Sequence, residues 1–238
     1  MLNCKKFFEI LLENGIEFFS GVPDSLMKDF NSYIIDNVNS NKHVIAANEG
    51  ASIALTAGHY LATKKLGLVY MQNSGLGNAI NPLTSLVDQE VYSIPLLLII
   101  GWRGEPGVPD EPQHIKQGQI TLKLLDTLKI PYDILPETIE ECKKKINVAF
   151  KYMNEFNAPY AFVIRKGIFE KYDQVNKTEP QYELSRENAI KIILSTLNDD
   201  EIIISTTGMI SRELFQCREQ MKQEHYNDFL TVGSMGHA

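Results

Sequence analysis

The stretch that decides the fold is His43-Val44-Ile45-Ala46-Ala47-Asn48-Glu49-Gly50-Ala51-Ser52-Ile53-Ala54, in which a strand leads directly into a helix. Small or apolar residues continue on nearly every side of that helix, so we expect it to be buried. Glu49 lies at the N-terminus of that helix, where the interaction of a carboxylate with the helix macrodipole stabilises the helix by about 0.3 to 1 kcal/mol. Because ligands of open α/β sheets bind at the carboxyl ends of strands, Glu49 is also a candidate site residue.

Strand-like and helix-like segments alternate along the chain, which favours βαβ units. We predict an α/β fold: a doubly wound, mostly parallel six-stranded sheet flanked by helices, followed by the start of a second α/β domain. The predicted strands are residues 16–20, 43–47, 67–71, 95–100, 132–135 and 160–164. The predicted helices are residues 4–14, 25–37, 50–65, 76–89, 116–128 and 137–156.

Residues 171–180 are polar, lack a periodic apolar face and are typical of a linker between domains. The alternation then resumes with a helix at 185–197, a strand at 201–205, a helix at 210–223 and a strand at 229–232. We therefore predict a first domain over residues 1–175, a linker over 176–184 and a second, incomplete domain over 185–238.

Composition limits the classes of function. The 238 residues include 23 Lys and Arg against 30 Asp and Glu, a net charge of −7. This charge repels nucleic acid and anionic lipid, so we expect neither partner, and a small anionic substrate requires a local cluster of cations. Cys4, Cys142 and Cys217 are scattered and lack metal-ligand spacing, which predicts a reduced cytoplasmic compartment and no zinc site. The longest apolar run, residues 94–101, is too short to cross a bilayer.

Two polar segments follow other predicted strands. In Gly21-Val22-Pro23-Asp24-Ser25, Asp24 is a candidate helix cap or site residue, and the two roles are compatible. Residues 101–114 form a loop with three prolines, three glycines and the only tryptophan, together with Arg103 and His114. Ordered polar loops at this edge of a sheet usually serve a site. For His114 the alternative is a structural role, either as the neighbour of a helix N-cap or as a packing residue in an interface.

A third segment is Gln72-Asn73-Ser74-Gly75-Leu76-Gly77-Asn78, which contains a GxG turn. It does not complete a dinucleotide fingerprint, because Ile80 occupies the third glycine position. The two glycines instead indicate close approach of the backbone to a neighbouring domain or ligand. Asn73 and Ser74 are candidate hydrogen-bonding residues.

These segments together resemble the phosphonopyruvate decarboxylase family of thiamine diphosphate enzymes, with sulfopyruvate decarboxylase as a close relative. The resemblance rests on residues 21–25, 48–51, 72–78 and 102–114, then 206–214 and 233–238, and it covers the whole chain. It implies that residues 1–175 are a pyrimidine-binding domain and that residues 185–238 are the N-terminal part of a diphosphate-binding domain.

The resemblance implies that Glu49 hydrogen-bonds N1′ of the cofactor's aminopyrimidine and promotes an ylide at thiazolium C2. The ylide would attack the keto carbon of 3-phosphonopyruvate, and loss of CO2 would leave an enamine. Protonation and release would then yield phosphonoacetaldehyde. Asp24 and His114 are the implied proton-transfer or substrate-orienting groups. The implied cofactor-binding residues are Glu49, Asn73, Gly75, Gly208, Met209, Ile210, Ser234 and Met235. Those for the 2-oxo acid substrate are Asp24, Ser25, Arg103 and Arg212, with Lys116 a further candidate cation.

Family members also hold the diphosphate through Mg²⁺, bound by a Gly-Asp-Gly segment and a downstream asparagine. The sequence contains no Gly-Asp-Gly, so no metal ligand is assigned and the ligands are expected beyond Ala238. Residues 231–238 read as a strand end that enters a glycine-bracketed helix start, and we therefore expect this fragment to be inactive alone. The resemblance implies a homo-oligomer, at least a dimer, with active sites between subunits.

Other functions stay open at this point. Sulfopyruvate is the alternative substrate; phosphonopyruvate is favoured because both domains lie on one chain, whereas sulfopyruvate enzymes often divide them between two subunits. A non-catalytic α/β module for binding or assembly is a second class. A nucleotide-dependent dehydrogenase is a third, although no acidic residue is suitably placed to bind a ribose.

Overall fold

The computed structural model describes residues 1–176, 182–198 and 200–231. The chain divides into two compact units, Met1–Asn176 and Lys177–Ala238, and each is described by itself.

The first unit consists of alternating strands and helices. Its strands are β1 (Ile16–Gly21), β2 (His43–Ile45), β3 (Leu66–Gln72), β4 (Leu97–Gly101), β5 (Tyr132–Ile134) and β6 (Tyr160–Ile164). Its helices are α1 (Cys4–Glu13), α2 (Lys28–Asn37), α3 (Glu49–Thr63), α4 (Leu76–Ser85), α5 (Pro112–Thr127) and α6 (Ile139–Phe156). Short 3-10 turns, Ser25–Met27 and Asn73–Gly75, precede α2 and α4.

The six strands form one parallel sheet in the order β2-β1-β3-β4-β6-β5. The predicted doubly wound α/β fold is confirmed. The order reverses direction between β1 and β3, so the connections put helices on both faces.

Each face of the sheet carries its own core, which is why the central strands read as continuous apolar runs. Along β3, Leu68 and Tyr70 point to the face covered by α1, α2 and α6, while Val69 and Met71 point to the face covered by α3, α4 and α5. Every residue of β3 and β4 is buried. These strands therefore fix the positions of the loops at their carboxyl ends.

The expectation that α3 is buried on nearly every side is wrong. Ser52, Ile53, Thr56 and Ala57 face the first unit and are buried. The opposite side is exposed to solvent although it is apolar, and it consists of Ala54, Leu55, Gly58, Leu61 and Ala62. A single layer of neighbours covers only one stripe of a helix, so small apolar composition alone did not determine burial.

Several boundaries also differ from prediction. Helix α5 begins at Pro112 instead of 116, because proline favours the first helical position, and His114 therefore lies in a helix. Helix α4 ends at Ser85 instead of 89, one turn after Pro82. Strand β2 ends at Ile45 instead of 47.

In the second unit, the described residues form α7 (Arg186–Thr196), β7 (Ile203–Ser205), α8 (Met209–Met221) and β8 (Asp228–Leu230), with β7 and β8 parallel. Leu194, Leu214 and Cys217 form its buried cluster. Across the ranges that the structure describes, no helix is both long and apolar enough to span a membrane.

Candidate active site

The predicted site segments of the first unit meet at one edge of the sheet. β1, β3 and β4 are neighbours and parallel, so the residues that follow them emerge side by side. Asp24 follows β1, Asn73 follows β3 and Arg103 follows β4, while Glu49 begins the helix after β2. This edge is where the order of strands reverses, the usual position of a ligand site in such sheets.

The carboxylate of Glu49 is buried and turned toward α4. Asn48 caps α3, because its Oδ1 accepts a hydrogen bond of 2.9 Å from the Ala51 N–H, so Glu49 is not needed for that task. The Glu49 residue is only 4% exposed, and its Oε2 accepts a hydrogen bond of 2.9 Å from Nδ2 of Asn78. Its side chain lies against Gly75, where a Cβ would collide with the carboxylate. Gly75 thus provides the space that Glu49 occupies.

Asn73 links three elements through its amide. Its Nδ2 donates to the Arg103 carbonyl oxygen at 2.8 Å and to Oγ1 of Thr121 at 2.9 Å, and its Oδ1 accepts from the Arg103 N–H at 3.2 Å. The side chain is 1% exposed. The amide of Asn73 therefore fastens the loop after β4 to the end of β3 and to α5. Any effect of Asn73 on cofactor binding would be indirect, through the position of that loop.

Arg103 is held by two residues of the same edge. Its Nε donates to Oδ2 of Asp110 at 2.8 Å, its Nη2 donates to Oδ1, and its Nη1 donates to Oγ of Ser25 at 3.0 Å. The N–H of Gly104, which has φ +68°, also donates to Asp110 at 2.8 Å. The hydrogen bonds from Arg103 hold the pKa of Asp110 well below its usual range. The guanidinium is consequently ordered and shares its charge with a carboxylate.

Asp24 is buried, and the charges of both members of this ion pair act on it. Its side chain makes no capping hydrogen bond to the 3-10 turn that follows, so the cap interpretation does not explain it. Gly101, at the end of β4, lies against its carboxylate, and a Cβ at that position would collide with Oδ2. Burial raises the pKa of Asp24 to about 6, and the positive charge on Arg103 opposes this rise.

His114 lies in the first turn of α5 and is half-buried. Burial, followed by the charge on Arg103, holds the pKa of His114 below its ordinary value, so the imidazole is neutral at pH 7. Asp24, Arg103 and His114 therefore form one electrostatic cluster. Lys116, on the same helix, is exposed.

A cavity of about 350 Å³ opens beside the ion pair. It is lined by Ser25, Leu26, Asp29, Arg103, Asp110, Lys166, Gly167 and Phe169. It has room for a small acid. Lys166 follows β6, and no motif in the sequence marked it as a site residue.

The remaining predicted residues lie in the second unit. Gly208 has φ +83° and occupies the N-cap of α8, a backbone conformation that favours glycine. Met209 is 54% exposed, Ile210 is partly exposed, and Arg212 is exposed on the first turn of α8. Ser234 and Met235 lie outside the described residues. Within the described ranges, no group of three or more His, Cys, Asp or Glu side chains is placed to hold a metal ion.

Sequence reasoning missed two contacts of this site, and each had a signal. Asn78 belongs to the quoted glycine segment, one helical turn after Gly75, a spacing that puts both on one side of α4. Asp110 follows Arg103 in the same loop, and a carboxylate is the usual partner of a partly buried arginine.

Comparison with known proteins gives a consistent result. Residues 5–126 match the family described as thiamine pyrophosphate enzyme, N-terminal TPP binding domain. The chain is 32% identical over 240 residues to phosphonopyruvate decarboxylase of Streptomyces viridochromogenes, covering 94% of this chain and 58% of that protein. It is 37% identical over 157 residues to sulfopyruvate decarboxylase subunit alpha of Methanococcus maripaludis, covering 66% of this chain and 90% of that protein.

Two further similarities extend over most of the chain. Sulfopyruvate decarboxylase of Methanosarcina acetivorans is 27% identical over 251 residues, covering 98% of this chain and 62% of that protein. A solved 4-hydroxybenzoylformate decarboxylase of Rhodococcus jostii superimposes with a TM-score of 0.51 at 17% identity, over 88% of this chain and 40% of that one, which supports the fold. The chain spans little more than half the length of the phosphonopyruvate decarboxylase that it matches.

Proposed function

The chain belongs to the family of thiamine pyrophosphate enzymes, and from this membership we propose that it binds thiamine diphosphate and takes part in the non-oxidative decarboxylation of a 2-oxo acid. The overall reaction is R–CO–COO⁻ + H⁺ → R–CHO + CO2. The observation that carries the proposal is the buried Glu49 carboxylate at the switch point of the sheet, held between Gly75 and Asn78.

The residues present fit the pyrimidine half of the cofactor. A ring nitrogen needs a hydrogen-bonding carboxyl group in a site from which water is excluded, and Glu49 is such a group. When bound, thiamine diphosphate supplies the carbon nucleophile and the electron sink of the decarboxylation. The task of Glu49 is to hold the proton that is shared with N1′.

Three other groups at the edge suit work on the substrate. Asp24, with a pKa of about 6, changes protonation near neutral pH, as a proton-transfer group must. A neutral imidazole such as that of His114 can both donate and accept a hydrogen bond. We assign to Asp24 and His114 proton transfer or substrate orientation, and to Ser25 and Arg103 contact with the substrate's acidic group in the neighbouring cavity. In the second unit, we assign cofactor binding to Gly208, Met209 and Ile210. We assign substrate binding there to Arg212.

We favour 3-phosphonopyruvate as the substrate and phosphonoacetaldehyde as the product. The support is the 32% identity with a phosphonopyruvate decarboxylase over 94% of this chain. Sulfopyruvate is the alternative, because a sulfopyruvate decarboxylase is similar over 98% of the chain at 27% identity. The match to this sulfopyruvate decarboxylase also spans both units of the chain. The presence of both domains on one chain therefore no longer favours phosphonopyruvate over sulfopyruvate. Rates with the two acids under identical conditions separate the alternatives.

The proposal includes Mg²⁺ and a homo-oligomer with sites between subunits. A diphosphate in a protein is usually bound together with a divalent cation. For assembly, the exposed apolar side of α3 supplies a surface of the kind that partners cover, and three of the similar proteins are named as subunits.

Substitution of Glu49 tests the function. In the native protein with thiamine diphosphate and Mg²⁺, Glu49→Gln should lower decarboxylation at least about a hundredfold, because the amide cannot exchange the proton. The melting temperature should stay nearly unchanged. Native protein that neither binds the cofactor by calorimetry nor turns over either acid would refute the proposal and leave a binding or assembly module.

A further inference from the structure

The first turns of α3 and α4 approach each other closely beside Glu49. A Cβ at Gly50 would lie 2.8 Å from the backbone oxygen of Asn78 and 3.3 Å from Oδ1 of Asn48. This approach brings the Asn78 side chain within hydrogen-bonding distance of the Glu49 carboxylate, 2.9 Å between Nδ2 and Oε2. The contact joins two helices that follow different strands.

Within the described part of the chain, the amide of Asn78 is the one hydrogen-bond donor to that carboxylate. Gly75 bounds the other side, because Oε1, Cδ and Cγ of Glu49 all pack against its α-carbon. One neighbour therefore restricts the carboxylate sterically and the other by a hydrogen bond. Removal of the donor leaves only the steric restriction by Gly75, so the terminal torsion of the glutamate is less restricted and the carboxylate plane can rotate.

We propose that Asn78 is a positioning residue that fixes the orientation of the Glu49 carboxylate before the cofactor binds. This inference rests on the proposed function. A carboxyl group that is already aimed loses little conformational freedom when it meets a ring nitrogen, which is the advantage of preorganised groups in active sites. Asn78 itself is an exposed residue, so no core packing explains an amide at this position.

The test measures deuterium exchange at C2 of bound thiamine diphosphate, together with the cofactor's dissociation constant, in the native protein with Mg²⁺. Asn78→Ala should slow the exchange by about 10- to 100-fold, the equivalent of one hydrogen bond to a charged group. The dissociation constant should change less than about threefold, since one contact of many is altered indirectly. Asn78→Gln, which keeps an amide donor, should restore part of the rate.

Asn81→Ala is the matched control. Asn81 is an exposed amide on the same helix, and its Oδ1 accepts from Ser85 of its own helix, so its removal should leave the exchange within about twofold of native. An Asn78→Ala rate within about twofold of native, while Glu49→Gln abolishes exchange, overturns the positioning role and leaves the proposed function intact. Native protein that does not accelerate exchange over free cofactor overturns both.

Discussion

The Glu49 carboxylate occupies the space directly over the α-carbon of Gly75, although the two residues follow different strands. A methyl group at position 75 would overlap Oε1, Cδ and Cγ of the glutamate. Because Glu49 is buried and Gly75 is fixed at the end of β3, neither can move away cheaply. The glycine is therefore a requirement of the site and not of a turn, since its φ is −75°.

Gly75→Ala should displace Glu49 and destabilise the protein by about 1 to 3 kcal/mol, the usual cost of overpacking a filled site. Chemical unfolding measures the stability, and calorimetry measures the affinity for thiamine diphosphate, which should fall. Gly77→Ala is the control: nothing lies within 4 Å of a Cβ there, and the position is helical. It should be neutral or stabilise by up to about 1 kcal/mol. Equal effects of the two substitutions would contradict the steric argument.

The ionisation of Asp24 should destabilise the fold. Its pKa rises from 3.8 to about 6 on folding, so the folded state binds more protons between those values, and stability falls as pH rises through this window. Asp24→Asn removes the ionisation. The variant should match the native protein near pH 4 and exceed its unfolding free energy by up to about 3 kcal/mol above pH 6.5.

Urea titrations of both proteins from pH 4 to pH 8 check this expectation. The difference between the two curves isolates Asp24, because the other titrating groups are common to both. A difference that is independent of pH would mean that the carboxyl group is solvated. Turnover of Asp24→Asn, in contrast, should be low at every pH if the group transfers a proton.

Sequence patterns were sufficient for the sheet and insufficient for the site. Continuous apolar runs and glycine-rich strand ends predict parallel strands, and parallel order gathers their carboxyl ends at one edge. Local patterns do not report which long-range neighbours fill a given space, so the contact of Gly75 with Glu49 and that of Gly101 with Asp24 became visible only in three dimensions. The exposure of one side of α3 was missed for the same reason. Composition indicates that a helix can be buried, but it does not indicate which neighbours cover it.

The Arg103 ion pair should hold the loop after β4 in place. Arg103→Lys keeps the positive charge but loses the pair of hydrogen bonds to the carboxylate, so the free energy of unfolding should fall by about 1 to 2 kcal/mol. Amide exchange at Gly104 should become faster, because its N–H donates to Asp110. Because the pKa of Asp110 is lowered on folding, its contribution is present above pH 4 and is lost as the pH falls below that value.

Arg165→Lys provides the comparison for this loop. Arg165 pairs with Glu105 at 2.8 Å, but its side chain is 48% exposed, against 19% for Arg103. Solvent screens the exposed guanidinium of Arg165, although the Glu105 side chain is 14% exposed, so Arg165→Lys should cost at most about 1 kcal/mol. Unchanged exchange at Gly104 in Arg103→Lys would show that the backbone of the loop, and not the ion pair, maintains its shape.

The apolar side of α3 should be covered by another copy of the chain in the native protein. Leu55 is 42% exposed and Leu61 is 53% exposed, and small residues between them permit close approach of a second helix. Leu61→Glu would put an unpaired charge into that contact at a cost of more than about 2 kcal/mol, so sedimentation should show a shift toward single chains at micromolar concentration. Leu12→Glu is the control, because Leu12 is 46% exposed on α1 beside Glu9 and Glu13. A variant at Leu61 that sediments like the native oligomer would place the contact elsewhere, whereas dissociation by both variants would indicate a general loss of stability.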